Sequence, residues 1–462
     1  MIRSVKSMSG IIAGVLGLVI LLILLFMGMH IGLAMALVGF IGIFYMNAQK
    51  YNAEMAFTRA IGAFKTGPFG SCSKESLVVI PMFTLMGVVC YYAGISQELY
   101  AACYTFVSRI RGGLAIATEI ACAFFGAICG SATATTASMG KICLPEMDKY
   151  GYKRSLSAGA ISAGGTLGIL IPPSVGFMLY GINAGVGVGP MFISGILPGV
   201  LLCICYSAVA IIICTIDPEA GPKGRKFSMK EKLKALLGVF PVLVLFIMVL
   251  GGILLGWCSA TEGGAIGAFG SFIFMAIKKK FTFKNIVAAL KETLETTAMI
   301  FLIMIGSDLL GQFFSLTGLS KALAAFCLQY DLSKWLVLAV CLVIYGILGC
   351  FVDSLPLIVL LTPIFLPLID AYDYTVAMGA LDVTTCDRMW FGVLMVMLME
   401  FGLMTPPVGM CCYVMAGIAP DMTLGEVFKG TAPFLLGVLV AIIIVIIFPE
   451  IAVWMPSFMR YG

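Results

Sequence analysis

Two apolar stretches of this chain are interrupted by the same device: Ile171-Pro172-Pro173-Ser174-Val175-Gly176 in the first half and Thr405-Pro406-Pro407-Val408-Gly409 in the second. A proline removes a backbone donor and clashes with the carbonyl four residues earlier. Each pair is therefore expected to free carbonyls, at Gly168 and Ile169 and at Gly402 and Leu403. In hydrocarbon such groups need a partner. Broken backbone at membrane depth survives only where protein buries it or where it lines a cavity able to hold an ion or solute.

Composition places these stretches in a bilayer. The chain is 61% hydrophobic and 11% charged, whereas a soluble domain carries about 25% charged residues. Apolar runs near the ~20-residue span length recur at Ile11 to Met29, Met191 to Cys214, Val239 to Leu255, Ala298 to Leu316 and Leu435 to Phe448. The reading is an all-α polytopic membrane protein with about ten spans and two re-entrant hairpins. The first run follows Arg3 and Lys6, lacks a small-residue cleavage site and meets a second apolar run, Ile31 to Tyr45, so it is read as retained.

Sixteen cysteines without a C-x-x-C spacing and a single histidine, His30, support neither a zinc site nor a disulfide framework. The net charge of +5 includes no basic patch interleaved with aromatics, which sets nucleic acid aside. A membrane-embedded enzyme would need a catalytic dyad or metal cluster, and none is visible, so no catalytic residue and no cofactor is assigned.

The chain repeats itself. After N-terminal scaffold helices (1–75), the first repeat (76–215) runs through a span, an amphipathic stretch, an apolar run from Gly113 to Gly130 and the polar break Ser131-Ala132-Thr133-Ala134-Thr135-Thr136. A second run ends at Pro145-Glu146-Met147-Asp148 and the Pro-Pro stretch follows. A basic loop and connecting helices (216–297) lead to the second repeat (298–455), with its break at Asp353-Ser354, its run ending Pro367-Leu368-Ile369-Asp370 and its own Pro-Pro. The runs flanking each break are short for full spans, so 113–150 and 333–370 read as hairpins with tips near mid-membrane.

Cytoplasmic loops carry excess Lys and Arg. Lys223, Arg225, Lys226, Lys230, Lys232 and Lys234, with Lys278 to Lys280, mark that side, and the acidic segment Asp370 to Asp387 marks the other. The two halves are then inverted. Lys50, Arg59, Lys65 and Lys74 misfit this assignment.

At a hairpin tip one helix ends with free carbonyls and the next begins with free N–H groups, offering ligands to a cation and an anion. Sodium, a hard cation, suits the oxygens of Ser131, Thr133, Thr135 and Thr136 with the carbonyls near Pro172, and those of Asp353 and Ser354 with Gly402 and Thr405. The plainer alternatives are that these hydroxyls back-bond to their helix and that Asp353 is a helix cap. Glu146, Asp148 and Glu262 lie near span ends and read as capping groups. Glu400 and Asp308 sit inside apolar runs and are functional candidates. Lys141 reads as lying just over a turn beyond the first polar break, either a partner for a carboxylate or a substrate contact.

Gly130 through Gly140, Pro145-Glu146-Met147, Gly151-Tyr152, Ala158 through Ser174, Phe351 to Ser354, Thr362 to Pro367 and Phe391 through Gly409 together resemble the large membrane subunit of tripartite ATP-independent periplasmic (TRAP) transporters. The resemblance covers nearly the whole chain. It implies an elevator-type member of the ion transporter superfamily, a sodium-driven importer of organic acids such as C4-dicarboxylates, sialic or sugar acids, in a bacterial or archaeal inner membrane. It also implies a small membrane subunit of about four helices and an extracytoplasmic binding protein as partners.

By the same resemblance sodium falls to Ser131, Thr133, Gly165, Gly168 and Pro172 and to Gly349, Asp353, Gly402 and Thr405. Substrate falls to Ala132, Thr135, Thr136, Ser174, Ser354 and Pro407. The chain departs from the family at His30, where proline is usual, at Leu398, where asparagine is usual, and in a longer segment Ala371 to Arg388, which is expected to alter docking of the binding protein. A stand-alone sodium and divalent-anion symporter is the alternative; an ion channel is disfavoured by two broken helices facing one site.

Overall fold

The computed structural model describes residues 2–379 and 381–459. The side chains of Arg3 and Lys6, on which the retained first run partly rests, lie outside the described set, as does Ala380 of the acidic segment. Among the described residues the chain is helical throughout, with a lone bridge between Met378 and Leu381.

Seven helical stretches among the described residues are long and apolar enough to cross a membrane, from Ile31–Ala48 to Leu424–Ile447. Gly10–Phe26 and Leu243–Leu254 are shorter apolar parts of longer helices. The four hairpin arms, Gly113–Cys129, Ala132–Lys149, Lys334–Gly349 and Ser354–Ile369, have 16 to 18 residues. At 1.5 Å per residue they reach about 24–27 Å, short of the ~30 Å hydrocarbon core.

Local chemistry ends and restarts these helices. Gly130, at φ +66, closes the first arm with its N–H on the Gly126 carbonyl at 2.7 Å. Glycine is needed there because a left-handed residue with a Cβ would be strained. Ser131 then caps the second arm, and Asp353 caps the equivalent arm of the second hairpin. The first broken helix comprises Arg154–Leu170 and Val175–Ala184; the second comprises Val383–Met404 and Met410–Ile418. Both Pro-Pro bonds at the breaks are cis.

Arg154–Leu170 lies against both arms of the first hairpin, while Val175–Ala184 crosses to the arm Ser354–Ile369 of the second. Met410–Ile418 in turn packs on the arm Ala132–Lys149 of the first. The two repeats thus exchange the far segments of their broken helices, which makes one body of both hairpins. The apolar window of the first broken helix is 89% buried and that of Val188–Ile216 only 28%, which marks the former as the core and the latter as an outer wall.

Equivalent ion pairs close the two hairpins at opposite ends of this body. Arg154 binds Asp148, at the end of the first hairpin, at 2.9 Å, and reaches Asp421 of the second repeat. Arg388 makes a two-pronged contact with Asp370, at the end of the second hairpin (2.9 and 2.8 Å), and donates to the Ala184 carbonyl of the first repeat at 3.1 Å. Side-chain exposure is 30% and 25% at the Arg388 pair but 42% and 64% for Arg154 and Asp421. Arg388→Met should therefore destabilise the purified protein by about 1.5–3 kcal/mol and Arg154→Met by less than about 1 kcal/mol. Thermal unfolding in detergent checks the order; equal midpoints for the two variants would contradict it.

The basic loop after Ile216 is tied across the mouth of the first hairpin. Gly112 donates to the Gly221 carbonyl (3.1 Å), Lys153 N–H to that of Ala220 (3.0 Å) and Gly224 to that of Ser108 (2.9 Å). Tyr152 donates its hydroxyl to the Pro222 carbonyl and accepts from the Leu114 N–H, both at 3.1 Å. The Lys153 hydrogen bond holds the exposed Asp217 carboxyl below the usual carboxylate range. Its contribution is present above the ordinary carboxylate pKa and fades as pH falls through the lowered one.

Candidate functional site

Each hairpin tip abuts the break of its own repeat. In the first repeat a Cβ built on Gly168 would lie 2.9 Å from the Ser131 carbonyl oxygen and 2.8 Å from Thr135 Oγ1, and one on Gly165 would collide with Thr136 Oγ1. Gly130 faces the Pro173 carbonyl. In the second repeat a Cβ on Gly402 would lie 2.5 Å from the Gly349 carbonyl oxygen, and the Val408 N–H donates to the Cys350 carbonyl at 3.3 Å. Small residues on the broken helices let backbone meet backbone at both tips.

Oxygen is the common feature of what gathers there. Ser131 Oγ lies 3.3 Å from Thr133 Oγ1, both part-buried. Asp353 accepts from the Ser354 N–H at 2.7 Å and from the Ser354 hydroxyl at 3.2 Å, both on Oδ1. Carboxylate, hydroxyl and carbonyl oxygens form a hard donor set, which fits sodium and poorly fits a soft metal. Among the described residues no three His, Cys, Asp or Glu side chains converge as a transition-metal site would need.

Several candidates are also engaged locally. Thr135 Oγ1 donates to the Ser131 carbonyl (2.7 Å), Thr136 Oγ1 to that of Ala132 (2.9 Å) and Thr405 Oγ1 to that of Phe401 (2.6 Å). Each hydroxyl keeps its lone pairs for a ligand. Asp353 is both helix cap and tip carboxylate, so the two roles coexist. Ala132 is buried at the start of its arm, Ser354 likewise, and Pro407 is exposed beside the second break.

The structure corrects the expected set of freed carbonyls. The Ile169 carbonyl accepts the Ser174 hydroxyl, and the Gly402 carbonyl accepts the Thr405 N–H at 3.2 Å. At the first break a residue just past the prolines turns back to replace the bond that proline removed; at the second, Thr405 does so from just before them. Ser174 is thus fully buried and occupied in the backbone. Lys141 is exposed and lies nine residues into an arm that starts at Ala132, about 14 Å along it, two and a half turns and not one. It makes no ion pair among the described residues.

Glu262 forms a capping box with Ser259, as its position near a span end implied. His30 is exposed between Ile2–Phe26 and Ile31–Ala48. In the acidic segment Asp387 accepts from the Tyr374 and Thr375 N–H groups (3.1 and 2.6 Å), Asp382 caps the following helix, and Asp370 holds Arg388. These carboxylates build the segment itself, leaving less charge to face a partner.

Glu400 is fully buried, and its Oε2 lies 3.5 Å from Thr166 Oγ1. That hydroxyl also contacts the Ala163 carbonyl (2.7 Å) and Tyr206 (3.1 Å). Having one proton, which the shorter carbonyl contact takes, Thr166 is a poor donor to the acid. The sequence reading missed a second buried acid, Glu119, inside the Gly113 to Gly130 run. The signal that singled out Glu400, an ionisable residue within an apolar run, would have found it.

Residues 18–451 match the family model described as the tripartite ATP-independent periplasmic transporter, DctM component. The chain belongs to this family. It is a multi-pass transporter permease component and not an enzyme. The C4-dicarboxylate TRAP transporter large permease protein DctM of Pseudomonas aeruginosa is 31% identical over 85% of this chain and 88% of its own length. The sialic acid TRAP transporter large permease protein SiaM of Vibrio cholerae is 27% identical over 98% and 100%. The ectoine TRAP transporter large permease protein TeaC of Halomonas elongata is 28% identical over 94% and 96%. Among solved structures the YdaH transporter of Alcanivorax borkumensis superposes with a TM-score of 0.56 at 13% identity, covering 86% of this chain and 88% of that one, a likeness of fold alone.

Proposed function

We propose that this TRAP permease component drives import of an organic acid with sodium across a bacterial or archaeal inner membrane. Its partners are then a small membrane subunit and an extracytoplasmic substrate-binding protein, the other two members of a tripartite system. The observation that carries the reading is the pair of hairpin tips, each seated on a broken helix and each offering hard oxygens beside helix N-termini. Sodium is assigned to Ser131, Thr133, Gly165, Gly168 and Pro172 in the first repeat and to Gly349, Asp353, Gly402 and Thr405 in the second.

The substrate carboxylate is assigned to the N–H groups and hydroxyls that open the second arms, at Ala132, Thr135, Thr136 and Ser354, with Pro407 at the opposing break. Ser174 holds the backbone at the first break and supports this site from behind. A carboxylate is favoured at a helix N-terminus by about 0.3–1 kcal/mol at exposed sites and up to about 2 when part-buried. Such a grip is light and tolerant. The names of the relatives span a dicarboxylate, a sugar acid and ectoine, which accords with selection residing in the soluble partner.

Because the repeats exchange helix segments, both tips belong to one body. Alternating access is then proposed as an elevator movement of that body against the bracing helices, of which Ile31–Ala48 and Phe283–Thr317 are the most closely packed pair. Transport against a gradient follows if sodium favours the substrate-binding form, since a ligand shifts states only by its differential affinity.

The test is reconstitution with the small subunit in liposomes and uptake of radiolabelled C4-dicarboxylate, sialic acid and ectoine. Uptake that needs both an inward sodium gradient and the binding protein is expected. Uptake needing sodium alone would indicate the stand-alone symporter, and sodium independence would overturn the site.

A further inference from the structure

We propose that Glu119 is a proton-binding site within the moving body, so that a proton accompanies sodium through the transport cycle. Glu119 lies six residues, about 9 Å, into the first hairpin arm and eleven residues, about 16 Å, from Gly130 at the tip. It is not among the residues assigned to sodium or substrate, although the Gly164 it touches adjoins one of them, Gly165. Its side chain is fully buried, and neither Oε1 nor Oε2 has a hydrogen-bond partner among the described residues.

The surroundings are apolar or weakly polar. Gly164 of the first broken helix stands directly against the carboxyl, where a Cβ would lie 2.8 Å from Oε2. Cys122 faces it from its own helix and Cys143 from the second arm. Cys203 and Tyr206 face it from Val188–Ile216, and Cys103 lies beyond Cys122 on Ile95–Val107. A charged group within electrostatic reach is another acid, Glu400, whose Oε1 is likewise buried without a partner among the described residues.

A bare carboxylate in such a place is strongly disfavoured, and two within reach of one another are more so. Something must meet the charge. Sodium fits less well, because the thiols are soft, weak ligands and the hard oxygens near Glu119 are those of Glu400 and Tyr206, short of a full shell. No lysine, arginine or histidine forms an ion pair with it among the described residues. A proton needs no coordination shell and converts the carboxylate to a neutral acid, whose O–H then finds a thiol or carbonyl acceptor.

Position gives this proton a role. Gly164 touches Glu119, while its neighbour Gly165 packs on Thr136 at the tip. One turn of helix thus senses both the acid and the ion site. The step is simple: the carboxylate takes one proton from the side it faces in one position of the body and returns it on the other side, with no bond made to substrate. This rests on the transport reading above, and the measurements separate the two.

The full complex is reconstituted with a pH-indicator dye trapped inside, and the same radiolabelled panel is used. With sodium held equal on both sides, an inside-alkaline gradient of one unit is expected to raise wild-type accumulation up to about tenfold for one proton per cycle. Dye acidification should accompany it. Glu119→Gln, a permanent neutral mimic, should keep sodium-driven uptake while losing the response to the pH gradient and the acidification. Sodium-driven uptake with no pH response in wild type, or an unchanged response in Glu119→Gln, would overturn the proton site and leave the sodium reading standing.

Infrared spectroscopy of the purified complex gives a readout independent of transport. A protonated-carboxyl band is expected in wild type and reduced in Glu119→Gln; an identical band in both sinks the proposal. Should Glu119→Gln not assemble, Glu119→Asp must show the band displaced, and an undisplaced band has the same consequence.

Discussion

Substituting Asp353 by alanine is expected to abolish sodium-dependent uptake, and asparagine is expected to do the same while leaving the fold intact. The two substitutions separate the two roles of this residue. As the cap of Ser354–Ile369 it accepts from the Ser354 N–H and hydroxyl, a role that asparagine performs about as well as aspartate. Alanine loses that cap, at about 1 kcal/mol, together with the charge.

Asparagine loses only the charge. Removing one partner of a buried charge pair costs about 2–5 kcal/mol, so the apparent sodium affinity should fall between roughly 30-fold and a few thousand-fold. The sodium dependence of uptake in liposomes, with thermal unfolding as a control, reads both effects. An Asp353→Asn protein with wild-type sodium dependence would reduce Asp353 to a cap. Ser131→Ala should behave more mildly, since the tip would lose a cap and a neutral oxygen but no charge.

The second large effect is expected from one methyl group. Gly402 and Gly349 face each other where the second hairpin tip meets its broken helix, but the contact is one-sided. A Cβ on Gly402 would lie 2.5 Å from the Gly349 carbonyl oxygen and 2.6 Å from its carbon, whereas a Cβ on Gly349 meets Leu357 and Gly402 at 3.8 and 3.9 Å. The obstacle to Gly402→Ala is backbone, which cannot swing aside as a side chain does.

The tip must retreat, at about 1–3 kcal/mol for overpacking, and the carbonyls and carboxylate it carries retreat with it. Uptake should therefore be lost in Gly402→Ala and kept in Gly349→Ala, with both proteins inserted and assembled. Uptake and thermal midpoints measured side by side would decide, and an active Gly402→Ala protein would show that the two surfaces need not touch for transport.

What the sequence made legible were features encoded locally. Paired prolines announce a broken helix whatever surrounds them, because the missing donor and the clash lie within one turn. The glycine, serine and threonine cluster after Cys129 and the aspartate after Val352 announce helix ends by their own backbone preferences. Together with hydropathy and an order of elements repeated in both halves, these were enough for the membrane class and the hairpin architecture. Glu119 is as readable as Glu400 by the same rule, since it too is an ionisable residue within an apolar run.

Other features were not readable because they depend on the path of the backbone at a break or on partners far apart in the chain. Ser174 and Thr405 lie close in sequence to the Ile169 and Gly402 carbonyls that they rescue, but only the backbone path at each break brings them there. That Asp370, Asp382 and Asp387 of the acidic segment bind Arg388 and backbone N–H groups likewise depends on how the segment folds. Lys141 lost its place near the tip once the start of its helix was fixed at Ala132.

By itself, then, the sequence determined a helical membrane protein with two broken helices, two hairpins and oxygen-rich tips, because hydropathy, proline and capping residues act within a few positions of themselves. Only the tertiary structure decided that the far half of each broken helix packs on the other repeat's hairpin, that Gly402 must be bare while Gly349 need not be, and that Glu119 is buried with neither carboxyl oxygen hydrogen-bonded among the described residues. Those are matters of which surfaces meet, and a surface acquires its partner only when the whole chain has packed.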